Sequence, residues 1–480
     1  MHEHPPRDPA ALPHFRLTAR QAIAAVTDSY TEFTPTTAPE EPRTPARAPG
    51  VAPLPPPDGP LGWRGYDASR QRARDRTGEE ESVLTALATI GDTDAVVLSF
   101  EFGFLGGSLG ERTGDRLEAA YTEARERRLP LVSLIATGGS RMQEGMRALS
   151  QLQRVARQSA LNRAAGLPQV AVLRDPTTGG GWATLGAGAD VILALPNAQV
   201  GFAGSRVRPP DADPHAYSAE GQFAAGQVDA VVPADALRTT LRRWLHLLGA
   251  APTPEIEPPH PAPVPSALGT TDLPETGWDA VGRARDARRP RAEAYLRAYF
   301  DDWEEIGGDR CGGRDPGMRC GFGHRNGRTI AFAAQCGTPT RPAGFRTATR
   351  LIRLADRLGV PVLTLVDTPG AANDAAAERA GAGAAIADTF AALAAARVPV
   401  TSLLIGEGGS GGALALAAPN RLWATPDSYF SVIAPELAAA ILKRGPDQTQ
   451  HTADQLHIRP QDLLDLGIIQ DIAHPDSATA

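Results

Sequence analysis

The sequence predicts an α/β chain built from two tandem copies of one domain. Three observations carry this expectation. Short apolar runs alternate with longer amphipathic stretches, the pattern repeats at one fixed offset, and each copy places glycine-rich turns where a strand hands over to a helix.

Two Pro-rich stretches, 39–60 and 251–265, cannot build a core and read as extended linkers. They divide the chain into an N-terminal segment with linker (1–60), a first block (61–250), a second linker (251–275) and a second block (276–480). In the N-terminal segment Thr18 is a good N-cap for a helix over Ala19–Val26, with Ile23 and Val26 available for docking. Strands are expected at 95–100, 131–136, 169–173 and 191–195 in the first block, with helices at 116–128 and 142–165. In the second block strands are expected at 329–334, 362–366, 400–405 and 422–424, with helices at 345–358, 377–396 and 412–418.

The internal repeat has an offset of 231 residues. Leu129-Pro130 and Val360-Pro361 open matching apolar runs, as do Leu167-Pro168 and Val398-Pro399. The runs end in Gly138-Gly139 and Pro369-Gly370, and in turns containing Gly180 and Gly411, again 231 apart. Four coincidences at one offset, each at a strand–turn–helix junction, indicate a duplicated domain.

Composition excludes several classes. With 48 Lys+Arg against 55 Asp+Glu the net charge is −7, a poor match to nucleic acid or an anionic membrane. Three cysteines cannot staple a secreted fold or supply a four-Cys zinc site, and they fit a reducing, cytoplasmic compartment. No apolar run reaches membrane-spanning length, and residues 1–9 lack the apolar core of a signal peptide. There is no G-x-x-x-x-G-K-[ST] and no proper G-x-G-x-x-G unit, which argues against ATP and NAD sites.

The glycine turns are the candidate chemistry. Glycine permits φ > 0 and close approach of a ligand to the backbone. The first amides of the following helix lack intrahelical partners and sit at the positive end of its dipole. Two such turns in one block could aim N–H groups at one oxygen, as stabilisation of an enolate or other oxyanion requires. One such turn alone would be read as tight strand–helix packing. Four turns in two copies favour oxyanion binding.

At these residues the chain resembles a known family. Phe104-Leu105-Gly106-Gly107-Ser108-Leu109-Gly110, Gly138-Gly139-Ser140-Arg141-Met142-Gln143-Glu144, Asp175-Pro176-Thr177-Thr178-Gly179-Gly180 and Gly201-Phe202-Ala203-Gly204 are similar to the beta subunit of the bacterial acetyl-CoA carboxylase carboxyltransferase. Gly307-Gly308-Asp309-Arg310, Asp367-Thr368-Pro369-Gly370-Ala371, the stretch Ile405-Gly406-Glu407-Gly408-Gly409-Ser410-Gly411-Gly412-Ala413 and Ser431-Val432-Ile433-Ala434-Pro435-Glu436 are similar to its alpha subunit. The resemblance implies two tandem crotonase (ClpP)-like spiral ββα domains, beta-like then alpha-like, fused in one chain.

The resemblance further implies that CO2 passes from carboxybiotin, held on a separate carrier protein, to the α-carbon of acetyl-CoA, giving malonyl-CoA. It places acyl-CoA at amides around Gly138, Gly139, Gly179 and Gly180. It places biotin at Gly370, Ala371, Gly411 and Gly412. No metal is implied. A biotin carboxyl carrier protein and a biotin carboxylase are the implied partners, because the chain shows neither a Met-Lys-Met biotinylation tripeptide nor an ATP-grasp-like segment. A homodimer is the minimum assembly, with a higher homo-oligomer equally consistent. Arg141 and Glu144 read as supports of a helix start or of a subunit contact, Glu407 as an orienter of its turn, Tyr429 and Phe430 as core or interface, and Met142 as packing.

Two departures stand out. The family's four-Cys zinc ribbon is missing ahead of the first block. The stretch after Ala371, Ala372-Asn373-Asp374-Ala375-Ala376-Ala377-Glu378-Arg379-Ala380-Gly381, replaces an aromatic followed by a Gly-rich acidic run. Cys311, Cys320, His324 and Cys336 lie in one stretch but lack any C-x₂₋₄-C pair, so they are not expected to bind zinc. Three alternatives accompany the main reading: a decarboxylase of malonyl-type thioesters, a carboxyltransferase for propionyl-CoA or longer acyl-CoA, and a non-catalytic scaffold.

Overall fold

The computed structural model describes residues 16–34, 58–249 and 259–475. Most of both Pro-rich stretches lies outside these residues. The described chain forms two compact units that interleave in sequence. The first comprises the chain up to Ser159, Ala171–Gly188 and Asn197–Pro214; the second comprises Ala160–Val170, Ala189–Pro196 and the chain from His215 onward.

In the first unit, helix α1 (Ala19–Val26) starts where expected. Thr18 Oγ1 accepts from Gln21 N at 3.2 Å and Gln21 Oε1 accepts from Thr18 N at 2.9 Å, a capping box that satisfies two amides at the helix start. Its buried face is Ala19, Ala22, Ile23 and Val26. Strand β1 (Ser29–Glu32) and, after α2 (Tyr66–Thr77), the hairpin β2 (Val83–Ile90) and β3 (Thr93–Phe100) pair antiparallel. Gly91, at φ +63°, makes the two-residue hairpin turn possible.

Helix α3 (Glu111–Arg127) packs on β2 and β3 and leads to β4 (Leu131–Thr137), which runs parallel to β3. After α4 (Gly145–Leu149) and α5 (Gln151–Ala164) comes β5 (Gln169–Thr178), next to β4 in the sheet. The glycine helix α6 (Gly179–Gly181) continues as a π turn over Trp182–Gly186. Strand β6 (Val191–Ala194) belongs to the second unit, and β7 (Val200–Gly201) pairs parallel with the end of β5.

In the second unit α7 (Ala219–Ala224) precedes β8 (Ala230–Val231), which pairs parallel with β6. Helix α8 (Leu237–Gly249) buries Leu241, Trp244, Leu245 and Leu248, and Trp244 meets Phe322 edge-on at 6.5 Å between ring centroids. Helices α9 (Gly277–Arg285) and α10 (Ala292–Tyr299) lead into an antiparallel trio, β9 (Asp302–Ile306), β10 (Met318–Arg325) and β11 (Arg328–Gln335).

The remainder is parallel: α11 (Pro342–Leu358), β12 (Val362–Thr368), α12 (Ala375–Arg379), α13 (Ala382–Ala395), β13 (Val400–Gly409), α14 (Ser410–Leu414), β14 (Leu422–Ala424), β15 (Tyr429–Ser431), α15 (Pro435–Ile441), α16 (Thr449–Gln455), α17 (Pro460–Asp465) and β16 (Asp471–Ile472). The sheet order is β16-β14-β13-β12-β11-β10-β9, with β15 on the end of β13. Tyr295, Leu296, Phe300, Phe332, Leu363, Leu365 and Leu403 form its main core.

The repeat is exact for three central elements. Glu111–Arg127 and Pro342–Leu358, Leu131–Thr137 and Val362–Thr368, and Gln169–Thr178 and Val400–Gly409 each begin and end 231 residues apart. Even the left-handed residues that stop α3 and α11, Arg128 and Gly359, correspond.

Several expectations need correction. The helix expected over 142–165 is three pieces, because Gly145 takes φ +53° and α4 ends at Leu149. The helix expected over 377–396 is broken by Gly381 at φ +80°. Strands β5 and β13 run four or five residues beyond their apolar stretches, into the glycine turns. Helices α3 and α11 start earlier than their apolar periodicity, since their first turns bury small residues such as Gly114 and Ala343.

The second unit is tied together around one wholly buried carboxylate. Asp229 accepts from Ile192 N at 2.7 Å, Gly307 N at 2.8 Å and Arg350 Nη2 at 2.8 Å, and it pairs with Arg310. Gly226 and Gly308, both at positive φ, let their backbones touch beside it; a Cβ on Gly308 would stand 2.2 Å from Gly226 Cα. Burial alone would raise the Asp229 carboxyl, but Arg310 and Arg350 more than offset this and hold it below the usual carboxylate range. A depressed carboxylate contributes stability above its unfolded pKa of about 3.9, and that contribution is lost as pH falls through the lower folded value.

Two outcomes are expected. Asp229→Ala, which strands two guanidinium groups, destabilises the chain by about 3–5 kcal/mol in chemical denaturation. The wild-type chain loses stability below about pH 4, and the variant loses less over the same interval.

Candidate active site

In the first unit β4 ends at Thr137 and the chain turns through Gly138, Gly139 and Ser140. Gly139 takes φ +104°, and its N–H donates to Thr137 Oγ1 at 3.0 Å. The turn is stitched to Leu109 on both sides: Leu109 N donates to Gly139 O at 2.9 Å, and Arg141 N donates to Leu109 O at 2.8 Å. Strand β5 ends at Thr178, and Gly179 turns the chain into α6 at φ +63°. A Cβ on Gly179 would stand 3.0 Å from Gly139 Cα, so the two turns meet backbone to backbone.

The second unit repeats this geometry. Thr368 ends β12 and its Oγ1 accepts from Gly370 N at 3.2 Å; Gly370 takes φ +141°. Thr340 stitches this turn as Leu109 does the first, donating to Gly370 O at 3.0 Å and accepting from Ala372 N at 2.9 Å. Strand β13 ends at Gly409, and Ser410 at φ +55° stands where the first unit has Gly179. A Cβ on Gly412 would stand 2.3 Å from Ala371 N. Each unit therefore brings its two expected turns together, Gly138 and Gly139 with Gly179 and Gly180, and Gly370 and Ala371 with Gly411 and Gly412.

The amides are not equivalent. Gly138 N donates to Gly106 O at 2.9 Å and Gly179 N to Phe202 O at 3.1 Å, so these N–H groups are already used, as are those of Gly139 and Gly370. Gly180 and Gly411 lie in the first turns of α6 and α14, where amides have no intrahelical acceptor. The repeat register makes Ser140, not Gly138, the counterpart of Ala371. Ser140 is not among the residues expected from the sequence, since it carries no glycine signal of its own. Subtracting the 231-residue offset from Ala371 leads to it.

The side chains around the turns are supports. Arg141 is fully buried and forks onto Glu81 at 2.6 and 2.8 Å, with Glu144 at 3.1 Å and Ser108 O at 2.9 Å. Tyr66 donates to Glu144, whose other oxygen accepts from Glu111 N at 2.6 Å, the first amide of α3. Burial works against both charges of the Arg141–Glu81 pair, yet each holds the other ionised: Glu81 lies below the usual carboxylate range and Arg141 is raised. The helix start that Glu144 supports is that of α3, not of the helix expected over 142–165. Neither Glu81 nor Tyr66 stood out in the sequence, since nothing local links them to Arg141. Met142, expected to pack, is instead 69% exposed.

In the second unit the corresponding brace is Asp367, also fully buried. Its Oδ1 accepts from Arg289 Nη2 at 2.6 Å and Glu407 N at 3.1 Å, and its carbonyl accepts from Gly337 N at 2.8 Å. Burial pushes its carboxyl up, against the pull of Arg289. Glu407 pairs with Arg285 at 2.8 Å and accepts from the buried Tyr429 hydroxyl at 2.8 Å, so it steadies β13 as expected. Cys311 is exposed, Cys320 buried and Cys336 intermediate. Burial drives the Cys336 thiol up to about 11 and raises Cys320 well above its ordinary value, which makes both poor thiolate ligands or nucleophiles at neutral pH. Among the described residues, no group of three or more His, Cys, Asp or Glu is placed to hold a metal, and no helix is long and apolar enough to cross a membrane.

Residues 62–261 match the carboxyl transferase domain family, and residues 273–480 match the acetyl co-enzyme A carboxylase carboxyltransferase-like family. The acetyl-coenzyme A carboxylase carboxyl transferase subunits beta/alpha of Saccharopolyspora erythraea are 38% identical over 85% of this chain and 74% of their own length. The chain belongs to the fused beta/alpha carboxyltransferase family. The protein of the same name from Salinispora arenicola is 37% identical over 97% of the chain and 84% of its own length. A probable biotin-dependent acyl-coenzyme A carboxylase beta3 subunit of Mycobacterium bovis is 35% identical over 86% of the chain and 84% of its own length.

Among solved structures, the transcarboxylase 12S with methylmalonyl-coenzyme A and methylmalonic acid bound superposes with a TM-score of 0.73 at 21% identity, covering 95% of this chain and 87% of that one. A single-chain, multi-domain long-chain acyl-CoA carboxylase gives 0.70 at 20% identity, covering 96% of this chain and 46% of that one. The fold of this carboxyltransferase is thus two tandem crotonase-like domains, as the resemblance implied.

The turns separate packing from ligand access. A Cβ on Gly411 meets nothing within 4 Å, whereas one on Gly412 strikes the Ala371 backbone. Gly411→Val is therefore expected to keep the wild-type melting temperature, while Gly412→Val costs about 1–3 kcal/mol by overpacking; paired thermal denaturation curves check this.

Proposed function

We propose that the chain is the carboxyltransferase component of an acetyl-CoA carboxylase. It would move the carboxyl group from carboxybiotin, presented by a separate carrier protein, to the α-carbon of acetyl-CoA, giving malonyl-CoA. One observation carries this reading: the same amide-lined turn is built twice, and the reaction has two oxygens that need it.

Removing a proton from the α-carbon of a thioester moves charge onto the carbonyl oxygen. The first unit would meet that charge with backbone N–H groups at Gly180 and Ser140, beside Gly138, Gly139 and Gly179. Fixed donors of this kind need no reorganisation as charge develops, and each typically contributes 10²–10³ in rate. The second unit would bind the ureido oxygen of biotin at Ala371, Gly411 and Gly412, beside Gly370. The donor set suits that group: neutral amides at a helix start, with open space over Gly411. Bound there, carboxybiotin supplies the CO2. The buried braces, Arg141 with Glu81 and Asp367 with Arg289, would act as positioning residues that keep the turns in register.

Acetyl-CoA is favoured as acceptor because the Saccharopolyspora and Salinispora relatives carry that name. The acyl-CoA carboxylase name of the Mycobacterium relative supports a second reading, propionyl-CoA or a longer acyl-CoA. A biotin carboxylase and a biotin carboxyl carrier protein would complete the enzyme, acting in the cytoplasm. Self-association as a homodimer or higher oligomer is supported by large apolar side chains left exposed near both turns: Met142, Met146 and Phe202 in one unit, and Val432, Leu437 and Ile441 in the other.

The reverse half-reaction tests the proposal without partners. Malonyl-CoA is expected to lose CO2 in a biotin-dependent manner, and Gly411→Val is expected to lower the rate about 100-fold with its fold intact. Turnover indifferent to biotin would indicate a thioester decarboxylase. Coenzyme A thioester binding with no turnover, even with its carrier added, would indicate a scaffold. Preference for methylmalonyl-CoA over malonyl-CoA would move the acceptor to propionyl-CoA.

A further inference from the structure

Outside the two turns, the second unit holds a cleft of about 520 Å³ whose lining is basic. Arg314, Arg341 and Arg346 line it together with Cys311, Ala343 and Ala380. That volume falls within the range of small-molecule sites. No carboxylate lines the cleft. Three nearby carboxylates are already engaged, two of them with arginines of the cleft itself. Asp309 accepts from Cys311 N and Gly313 N at 2.7 and 2.9 Å and pairs with Arg346. Asp315 accepts from Gly317 N and Arg341 N at 2.8 and 2.7 Å. Asp374 accepts from Ala376 N and Ala377 N at 2.9 and 3.0 Å, and its second oxygen meets Arg341 Nη2 at 3.0 Å.

The arginines are held in place and not saturated. Arg346 is fixed by Asp309 and by Ala380 O at 3.0 Å. The Arg314 guanidinium lies 3.8 Å from the centroid of the Phe223 ring and donates to Phe223 O at 3.3 Å. Arg341 spends one side-chain nitrogen on Asp374. A guanidinium has five N–H groups, so Arg314 and Arg341 both retain donors for a further acceptor.

This basic lining is not part of the shared scaffold. At the 231-residue offset Arg341 and Arg346 correspond to Gly110 and Asp115, so the first unit has no such arginine pair. Ala380, on the far wall, belongs to the stretch that departs from the family pattern. The charge pattern is therefore specific to one copy.

We propose that this cleft binds a phosphorylated small molecule, with its phosphate taken by Arg314 and Arg341 and with Cys311 at the edge of the occupied space. Phosphate is preferred to a single carboxylate because its three terminal oxygens can serve several separate guanidinium groups at once. The inference does not depend on the proposed reaction, and its test uses no turnover.

Cys311 is a built-in reporter, being the one exposed cysteine of the three. The full chain would be alkylated with iodoacetamide at constant ionic strength, with and without inorganic pyrophosphate, and modification at Cys311 followed by peptide mass spectrometry. Pyrophosphate at about 1 mM is expected to slow alkylation of Cys311 about five- to tenfold, as bidentate guanidinium–phosphate contacts would hold it over the thiol. Arg341→Glu, whose side chain is exposed and paired only with exposed Asp374, is expected to abolish the protection; Arg314→Gln provides a second, independent variant. An unchanged alkylation rate in wild type, protection that survives in both variants, or equal protection by malonate would each overturn the proposal.

Discussion

The structure depends on a contact between two pieces of backbone. In each unit the ends of two neighbouring parallel strands turn so tightly that Gly139 meets Gly179, and Ala371 meets Gly412, with no room for a side chain between them. That approach fixes where the helix-start amides point. It also determines what surrounds it. The strands must extend past their apolar stretches to reach the turn. A threonine must end each of β4 and β12 to accept the second turn amide, and a bridging residue, Leu109 or Thr340, must clamp the other edge. On the proposed reading the groups that meet the substrate are main-chain N–H groups, which cannot be tuned by substitution and can only be positioned, so side chains enter as braces.

The two copies solve the bracing problem differently. In the first unit a buried fork, Arg141 on Glu81, anchors the residues just after the turn to the segment ahead of β2, and Glu144 ties them to the start of α3. In the second the anchor is a buried aspartate just before the turn, with Arg289 reaching in from the segment ahead of α10. Both are ionic and buried, so both are costly to desolvate and both penalise any rearrangement that breaks the pair. A duplicated scaffold has kept its strand, helix and turn register to the residue while its supporting electrostatics diverged. The Arg-rich cleft at the start of α11 belongs to the same divergence.

Much of the scaffold was legible because duplication makes a signal louder. A single strand followed by glycines is weak; four at one spacing are not, and β4, β5, β12 and β13 were each located from their apolar centres. What was missed has consistent physical causes. Strand ends such as 174–178 and 406–409 are polar or glycine-rich and carry no apolar pattern. The breaks at Gly145 and Gly381 depend on positive φ values that a helical periodicity hides. Glu81 and Tyr66 lie 60 and 75 residues from Arg141, so no local pattern pairs them.

The sequence by itself determined the family, the duplication, the order of the halves and the glycines at each turn, because these are set by local backbone requirements and by a spacing that can be counted. Only the tertiary structure decided which turn amides are already engaged. Gly138, Gly139, Gly179 and Gly370 look as suitable as their neighbours in the sequence, yet their N–H groups are taken by Gly106 O, Thr137 Oγ1, Phe202 O and Thr368 Oγ1. The physical reason is that a buried N–H must find an acceptor, and which acceptor it finds depends on segments distant in the chain that only folding brings alongside.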